Sequence, residues 1–372
     1  MTAAGRDILH VTERCRGGVA TYVAAAIRRQ RASRRYGAVR LLADPDLLDP
    51  GLAAAASEAP GGLTPYRSGR SPAAVWASAG RVQAAVDAAA PAILHLHSSF
   101  PGVYGRLRAR PRGGPAIVYC PHGWAFEMQA PPPKRFIYRL LERRLAPKAD
   151  VIVSISEHEH ARAIAAGIDH PAHFAIPHGA PPPAPGPRPT AMTADRLNLL
   201  FVGRFDRQKG VDLLLDAMRR VRREDVILHL IGAADRGDGG APDLCDPRVR
   251  AHGWVDHADL DAWYAAADAV VMPSRWEGFG LVAIEAMRND TPVLAGRRGA
   301  LPEILGDPPA GLLFDPDDAG GLARLIDGLD AASLGTLGAR ARARYQAAYT
   351  EARALDALDD AYDVAATRRA AR

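Results

Sequence analysis

Short apolar runs recur along the chain, each followed by a turn and then by a stretch with helical spacing. In the first half the runs are Asp7-Ile8-Leu9-His10-Val11, Ala38-Val39-Arg40-Leu41-Leu42, Ile93-Leu94-His95-Leu96-His97, Ala116-Ile117-Val118-Tyr119-Cys120 and Val151 to Ser156. In the second half they are Leu197 to Val202, Val226 to Ile231, Arg250 to Val255 and Ala269 to Met272, and the pattern continues through Pro292 to Ala295 and Gly311 to Pro316. Continuous apolar runs predict strands covered on both faces. Between them, Ala20 to about Gln30, Ala73 to Ala89, Pro133 to Leu145, Val211 to Arg222, Asp259 to Ala267 and Leu281 to Arg288 predict helices. Strand and helix in alternation predict an α/β chain of parallel sheets wound on both faces. The Pro- and Gly-rich segment from Asp44 to Pro72 predicts no element.

Prolines at 181, 182, 183, 185, 187 and 189 exclude helix and central strand, because proline lacks the N–H donor. That stretch predicts a semi-extended linker. With 372 residues there is room for two cores. The expected division is residues 1–180, a linker at 181–195, a second domain at 196–348 and a tail at 349–372. The stretch Ala339 to Arg372 is helical in composition, with Tyr349-Thr350 as its break.

Two strand–turn–helix units of the second domain carry the most informative chemistry. Arg204 and Lys209 flank a turn, Gly203 to Gly210, at the carboxyl end of a strand. Arg204 offers a bidentate fork and Lys209 a point charge, a combination that suits a diphosphate. The second unit is Pro273-Ser274-Arg275-Trp276-Glu277-Gly278-Phe279-Gly280-Leu281-Val282-Ala283-Ile284-Glu285-Ala286-Met287. Its Gly-rich turn opens a helix at Leu281, whose N-terminal amides suit an anion. Glu277 lies before that helix, and Glu285 lies inside it, roughly 7 Å further along. Phosphate between carboxylates that hold hydroxyls matches the alternation of a sugar nucleotide.

With these flanking units, Glu277 and Glu285 resemble the E-x7-E element of retaining GT-B glycosyltransferases of family 4. The resemblance covers nearly all of the second half, but in the first half it rests on Gly17-Gly18 and Pro121-His122-Gly123. It implies two Rossmann-like domains facing an interdomain cleft, with the final helix crossing back to the first domain. The implied activity is transfer of a hexose from a UDP- or GDP-sugar, with retention, to a saccharide or lipid-linked saccharide. It also implies a catalytic set of His122, Arg204, Lys209 and Glu277. Arg204, Lys209 and the helix N-terminus after Gly280 would stabilise the leaving diphosphate. Glu285 would hold the ribose, while Glu277, Gly278, Phe279 and His122 would hold the transferred sugar. Gly280 and Leu281 complete the donor set, with Gly18 against the donor phosphate and Val255 offering backbone near the nucleobase. His97 joins His122 as an acceptor-side candidate. His178 stands where the family commonly has asparagine. Two other classes stay open, a sugar-nucleotide epimerase and a non-catalytic sugar-nucleotide-binding protein of the same fold.

Charge divides unevenly. Residues 1–150 hold 22 Lys and Arg against 10 Asp and Glu, whereas the remainder holds 25 against 32. A basic half suits an anionic membrane surface or an acidic acceptor. Nucleic acid does not fit, because no helix-turn-helix, zinc finger or aromatic-interleaved basic run is present. The helix from Pro133 is basic and amphipathic, with Phe136, Ile137, Leu140, Leu141 and Leu145 to one side. It reads either as a core-facing helix with a solvated face or as a peripheral membrane contact. The N-terminus shows no signal core, no window is apolar enough to span a bilayer, and three scattered cysteines fit a reducing cytoplasm. Cytoplasmic location is therefore expected, with peripheral attachment to the inner face of the cell membrane as one reading of the basic half. No metal or cofactor is expected beyond the sugar nucleotide as co-substrate. His95 and His97 share a strand face but lack a third ligand. Asp44-Pro45-Asp46 and Asp315 to Asp318 are read as not following buried strands.

Overall fold

Every one of these apolar runs overlaps a strand in the computed structural model, which describes residues 5–109, 112–128, 130–184, 186–234 and 245–372. The chain forms two units, residues 1–178 with 352–372, and residues 179–351. In the first, the order is β1 (Arg6–Val11), α1 (Gly18–Ala32), β2 (Tyr36–Ala43), α2 (Pro50–Ser57), β3 (Leu63–Pro65), α3 (Pro72–Ala89), β4 (Ile93–His97), α4 (Ser99–Leu107), β5 (Ala116–Cys120), α5 (Pro132–Leu145), β6 (Val151–Ser154), α6 (Glu157–Ala165) and β7 (His173–Ala175). The segment with no expected element thus holds α2 and β3. Asp49 caps α2 through its carboxylate on the Gly51 amide, and β3 pairs with β2 at the sheet edge.

The second unit follows with β8 (Leu197–Val202), α7 (Val211–Met218), β9 (Val226–Ile231), β10 (Val249–Ala251), α8 (Leu260–Ala266), β11 (Ala269–Met272), α9 (Leu281–Arg288), β12 (Val293–Gly296), α10 (Leu301–Leu305), β13 (Gly311–Phe314), α11 (Ala319–Asp327) and α12 (Ala331–Ala348). The final helix, α13 (Glu351–Ala370), lies almost wholly in the first unit. The proline-rich stretch belongs to the second unit and is pinned there by the Ala184 amide on Asp261. β10 is shorter than expected, since the chain turns at Gly253, with φ of 69°, and Trp254 and Val255 fall in a loop. The polar stretch from 233 to 240 lies, from residue 235 onward, outside the described residues.

Both sheets are parallel throughout. The seven-stranded sheet runs β3-β2-β1-β4-β5-β6-β7 and the six-stranded one β10-β9-β8-β11-β12-β13. Each reverses direction once, between β1 and β4 or between β8 and β11. Ligands of open α/β sheets bind at such switch points, beyond the carboxyl ends of the strands. Central strands are buried along their length, as in β4, β5, β9 and β11. One departure from apolar lining is His10, His95 and His97, which are enclosed within the first sheet.

Helix α5 overturns its core-facing reading. Phe136, Ile137, Leu140 and Leu141 are exposed, while Glu142 and Leu145 are buried. Glu142 accepts from Arg106 at 2.8 Å and from the Tyr119 hydroxyl at 2.8 Å, and the Arg106 guanidinium lies 3.8 Å from the Tyr119 ring centroid. Removing one partner of so enclosed a pair would strand a charge, at a cost of about 3–5 kcal/mol. Glu142 is nearly opposite Leu140 on the helical wheel, so the ion pair turns Phe136, Ile137, Leu140 and Leu141 outward, and of the apolar stripe Leu145 is buried.

The aspartates also differ from expectation. Asp44 directly follows β2 and Asp315 directly follows β13. Asp44 is buried and accepts from the Asp46 amide and from the Ser68 amide and hydroxyl, so it serves the loop.

Candidate active site

The loops after β8 and β11 flank the switch point of the second sheet and are tied together. The Arg275 amide donates to Gln208 O at 2.9 Å, and Gln208 Nε2 reaches Trp276 O at 3.4 Å. Arg275 also grips Asp212 with two bonds of 2.8 and 2.6 Å. Gly210 makes the approach possible. Its φ is 70°, and a Cβ there would sit 2.3 Å from Pro273 O.

This closeness brings the predicted residues of the two loops into one cluster. Lys209 Nζ lies 2.6 Å from Glu277 Oε2, which also accepts from Ser274 Oγ at 3.3 Å. Asp206 holds the other loop, binding Arg204 Nη2 at 2.9 Å and the Lys209 amide at 2.9 Å. Arg204 additionally contacts Gln208 Oε1 at 3.1 Å, with nearly half of its side chain exposed. Gly280 caps α9 with φ of 110° and no side-chain cap, so Leu281 opens a first turn whose amides are not bonded by a capping side chain. Gly278 has open space where a Cβ would stand. Phe279 is buried, and what it can present to a ligand is its main chain.

Glu285 is fixed from two sides. Tyr264 donates to Oε2 at 2.9 Å, and His257 Nε2 lies 3.3 Å from Oε1. Burial pushes its carboxyl up, but the His257 hydrogen bond and charge, the Tyr264 hydroxyl and the Arg288 cation together hold it below the usual value. The reciprocal bond raises His257. Glu285 is thus an oriented carboxylate at neutral pH, with lone pairs left for a diol. Val255 is half-buried in the loop between β10 and α8.

In the first unit, Gly17 caps α1 with φ of 60° and no side-chain cap, and Gly18 is the first helical residue. His122 sits in the left-handed region, with φ of 52°, at the end of β5. Glu159 holds this turn by accepting from the Gly123 and Ile155 amides. Burial pushes the Glu159 carboxyl up to about 7. His178 stacks on His122, with ring centroids 5.5 Å apart, and Tyr22 packs against both.

The acceptor-side reading of His97 is not supported. His97 is fully enclosed, with Nδ1 on His122 Nε2 at 3.0 Å and Nε2 on His10 Nδ1 at 2.9 Å, and so it stands behind His122 with both ring nitrogens engaged. The third histidine that strand spacing lacked is His10 of β1, which pairs with His95 across the sheet. His10, His95 and His97 bring ring nitrogens within 4.8 Å of one another, but hydrogen bonds engage both nitrogens of His10 and of His97.

Sequence reasoning missed Glu159, Tyr264, His257 and Ser274. Ser274 stood inside the singled-out stretch, three residues before Glu277. The other three act on residues 21 to 36 positions away, for which no local spacing gives a signal.

Comparison with known proteins gives the family and the fold. Residues 17–179 match the family described as glycosyl transferase 4-like domain, and residues 196–330 match glycosyl transferases group 1. An uncharacterized 41.2 kDa protein in the cps region of Klebsiella pneumoniae is 31% identical over 246 residues, covering 63% of this chain and 68% of the relative. A D-inositol 3-phosphate glycosyltransferase of Geodermatophilus obscurus is 31% identical over 312 residues, covering 75% and 68%. Among solved structures, sucrose-phosphate synthase from Thermosynechococcus elongatus superposes with a TM-score of 0.78 at 23% identity, covering 96% of this chain and 98% of that one. Anabaena HepE in complex with UDP and glucose gives 0.75 at 19%, covering 95% and 98%. These likenesses fix the GT-B fold, and the chain belongs to the family 4-like, group 1 glycosyltransferases.

Proposed function

We propose that this glycosyltransferase moves a hexose from a UDP- or GDP-sugar to a saccharide or lipid-linked saccharide, with retention and without a metal. The observation that carries this reading is the joining of the β8 and β11 loops, which gathers Arg204, Lys209, Glu277 and the α9 N-terminus at one switch point. Arg204 and Lys209 meet the diphosphate and stabilise its charge as the glycosidic bond breaks. Glu285 holds the ribose. Glu277 and the Gly278–Gly280 main chain hold the sugar, and His122 contributes from the first unit. The leaving diphosphate takes the acceptor proton. HepE, solved with UDP and glucose, supports the donor class.

The outward face of α5 supports attachment to an anionic membrane. Phe136 and Ile137 are more than half exposed, and Lys134, Arg135, Arg139, Arg143 and Arg144 surround them. Among the described residues no helix is long and apolar enough to cross a membrane. A surface-bound enzyme at the cytoplasmic leaflet would meet a lipid-linked acceptor there, as polysaccharide assembly requires.

A panel of sugar nucleotides, with and without saccharide acceptors and with and without EDTA, tests the reading. Slow hydrolysis without acceptor and transfer with it, both surviving chelation, are expected. Isomerised donor would make the protein an epimerase, and binding without turnover would make it a sensor. Loss of activity in EDTA, restored by magnesium or manganese, would move the leaving-group charge onto a metal.

A further inference from the structure

Six side chains of the first unit form one hydrogen-bonded file. His122 Nε2 lies 3.0 Å from His97 Nδ1, His97 Nε2 lies 2.9 Å from His10 Nδ1, and His10 Nε2 lies 2.8 Å from Gln30 Oε1. Gln30 Nε2 then donates to the Tyr362 hydroxyl at 3.2 Å, and that hydroxyl lies 2.7 Å from His95 Nδ1. The two ends, His122 Nδ1 and His95 Nε2, are enclosed without a hydrogen-bond partner among the described residues.

A neutral imidazole has one N–H and one lone pair, so all bonds of such a file point the same way. Were one reversed, two donors or two acceptors would meet. Burial pushes His10 down to about 4 and holds His95, His97 and His122 well below the ordinary histidine value, so the rings are neutral at physiological pH. With its amide oxygen on His10 and its amide nitrogen on Tyr362, Gln30 sets the direction. Its Oε1 can only accept, which puts the His10 proton on Nε2 and leaves Nδ1 bare. His97 must then donate from Nε2, and His122 likewise. The free end at His122 is therefore a lone pair on Nδ1. At the other end, Tyr362 accepts from Gln30 and donates to His95 Nδ1, which leaves the His95 proton on Nε2.

We propose that Gln30, acting through His10 and His97, fixes His122 as the Nε2–H tautomer, so that Nδ1 accepts from a hydroxyl of the donor sugar and discriminates against an anionic group at that point. Gln30, His10 and His97 are positioning residues here, since none of them touches substrate. Only the sugar contact rests on the function proposed above; the tautomer does not. The same logic explains why a sheet interior otherwise lined by apolar groups retains three histidines, since a buried file with every internal bond satisfied specifies one arrangement.

Long-range proton–nitrogen NMR of the 15N-labelled full chain, free of ligand, reads the tautomers directly. Single His→Gln changes at 10, 97 and 122 assign the signals. The expected result is Nε2–H for all three rings, with mixed tautomers at His122 in Gln30→Met, whose side chain keeps the volume but offers no amide. Gln30→Met should also weaken sugar-nucleotide binding about tenfold, the loss of one neutral hydrogen bond, and leave the bare nucleoside diphosphate unaffected. An Nδ1–H tautomer at His122 in the unmodified protein would overturn the proposal, as would a His122 signal indifferent to Gln30→Met. Zinc held stoichiometrically by His10, His95 and His97 would overturn it too, because a metal needs lone pairs where the file needs protons. If Gln30→Met does not fold, the unmodified spectrum still decides. The expected tautomers together with unchanged sugar-nucleotide binding would uphold the relay and remove the His122–sugar contact instead.

Discussion

Lys209 Nζ and Glu277 Oε2 lie 2.6 Å apart, so the cation proposed to meet the diphosphate is already paired with the carboxylate proposed to meet the sugar. On that proposal a bound sugar nucleotide would redistribute the pair, with phosphate drawing Lys209 and sugar hydroxyls occupying Glu277. Arg204, held by Asp206 and Gln208 at the loop's rim, is the other cation proposed to meet the phosphates. Arg204→Ala should weaken nucleoside-diphosphate binding by roughly 2–4 kcal/mol, the range for losing a charge-assisted contact. Calorimetry on the folded variant checks this, and unchanged affinity would remove the assignment.

The two glutamates should separate by ligand. Glu285→Gln perturbs a carboxylate held by Tyr264 and His257, and it should weaken the bare nucleoside diphosphate and the sugar nucleotide alike. Glu277→Gln should spare the bare nucleotide, because it releases Lys209, yet depress sugar-nucleotide binding and turnover. Equal losses of bare-nucleotide affinity in both variants would show the roles to be misassigned.

Glu159 should give the fold a pH signature. In the folded protein it keeps its proton up to about pH 7, whereas the unfolded chain loses it near 4.5. The native state binds more protons in that window, so this group's contribution is full below pH 4.5 and is lost as pH rises through 7. The shift corresponds to about 3 kcal/mol. Urea midpoints between pH 4 and about 8, compared with those of Glu159→Gln, should show that slope only in the unmodified protein. Parallel curves would mean that the carboxyl titrates at its ordinary value.

Helix α5 should bind anionic liposomes at low salt and release them at high salt, since each basic residue near the surface contributes about 1 kcal/mol and is screened within a Debye length. Replacing Phe136 and Leu140 together by serine should lower partitioning by about tenfold or more, given about 1.5–3 kcal/mol for each large apolar side chain buried. Sedimentation with anionic and neutral vesicles measures both effects. Equal, negligible binding to the two would leave α5 a solvated basic face.

The sequence by itself determined the strands, their parallel arrangement and the two charged turns, because continuous apolar runs, helical spacing and glycine punctuation are local signals. Arg204, Lys209, Glu277 and Glu285 were legible for the same reason, each lying in a turn or helix adjoining a recognisable strand. Tertiary structure alone decided that Lys209 reaches Glu277, since that contact depends on Gly210 letting one loop lie against Pro273. It decided the rotation of α5 as well. Periodicity counts apolar positions, but the burial of Glu142 depends on Arg106 and Tyr119, which come from elements distant in the chain. It also placed His97 behind His122, where strand spacing could show two histidines on one face but not the His10 that bonds His97 or the Tyr362 that bonds His95. Contacts between residues far apart in sequence leave no period to read, and the chemistry of this site is set largely by such contacts.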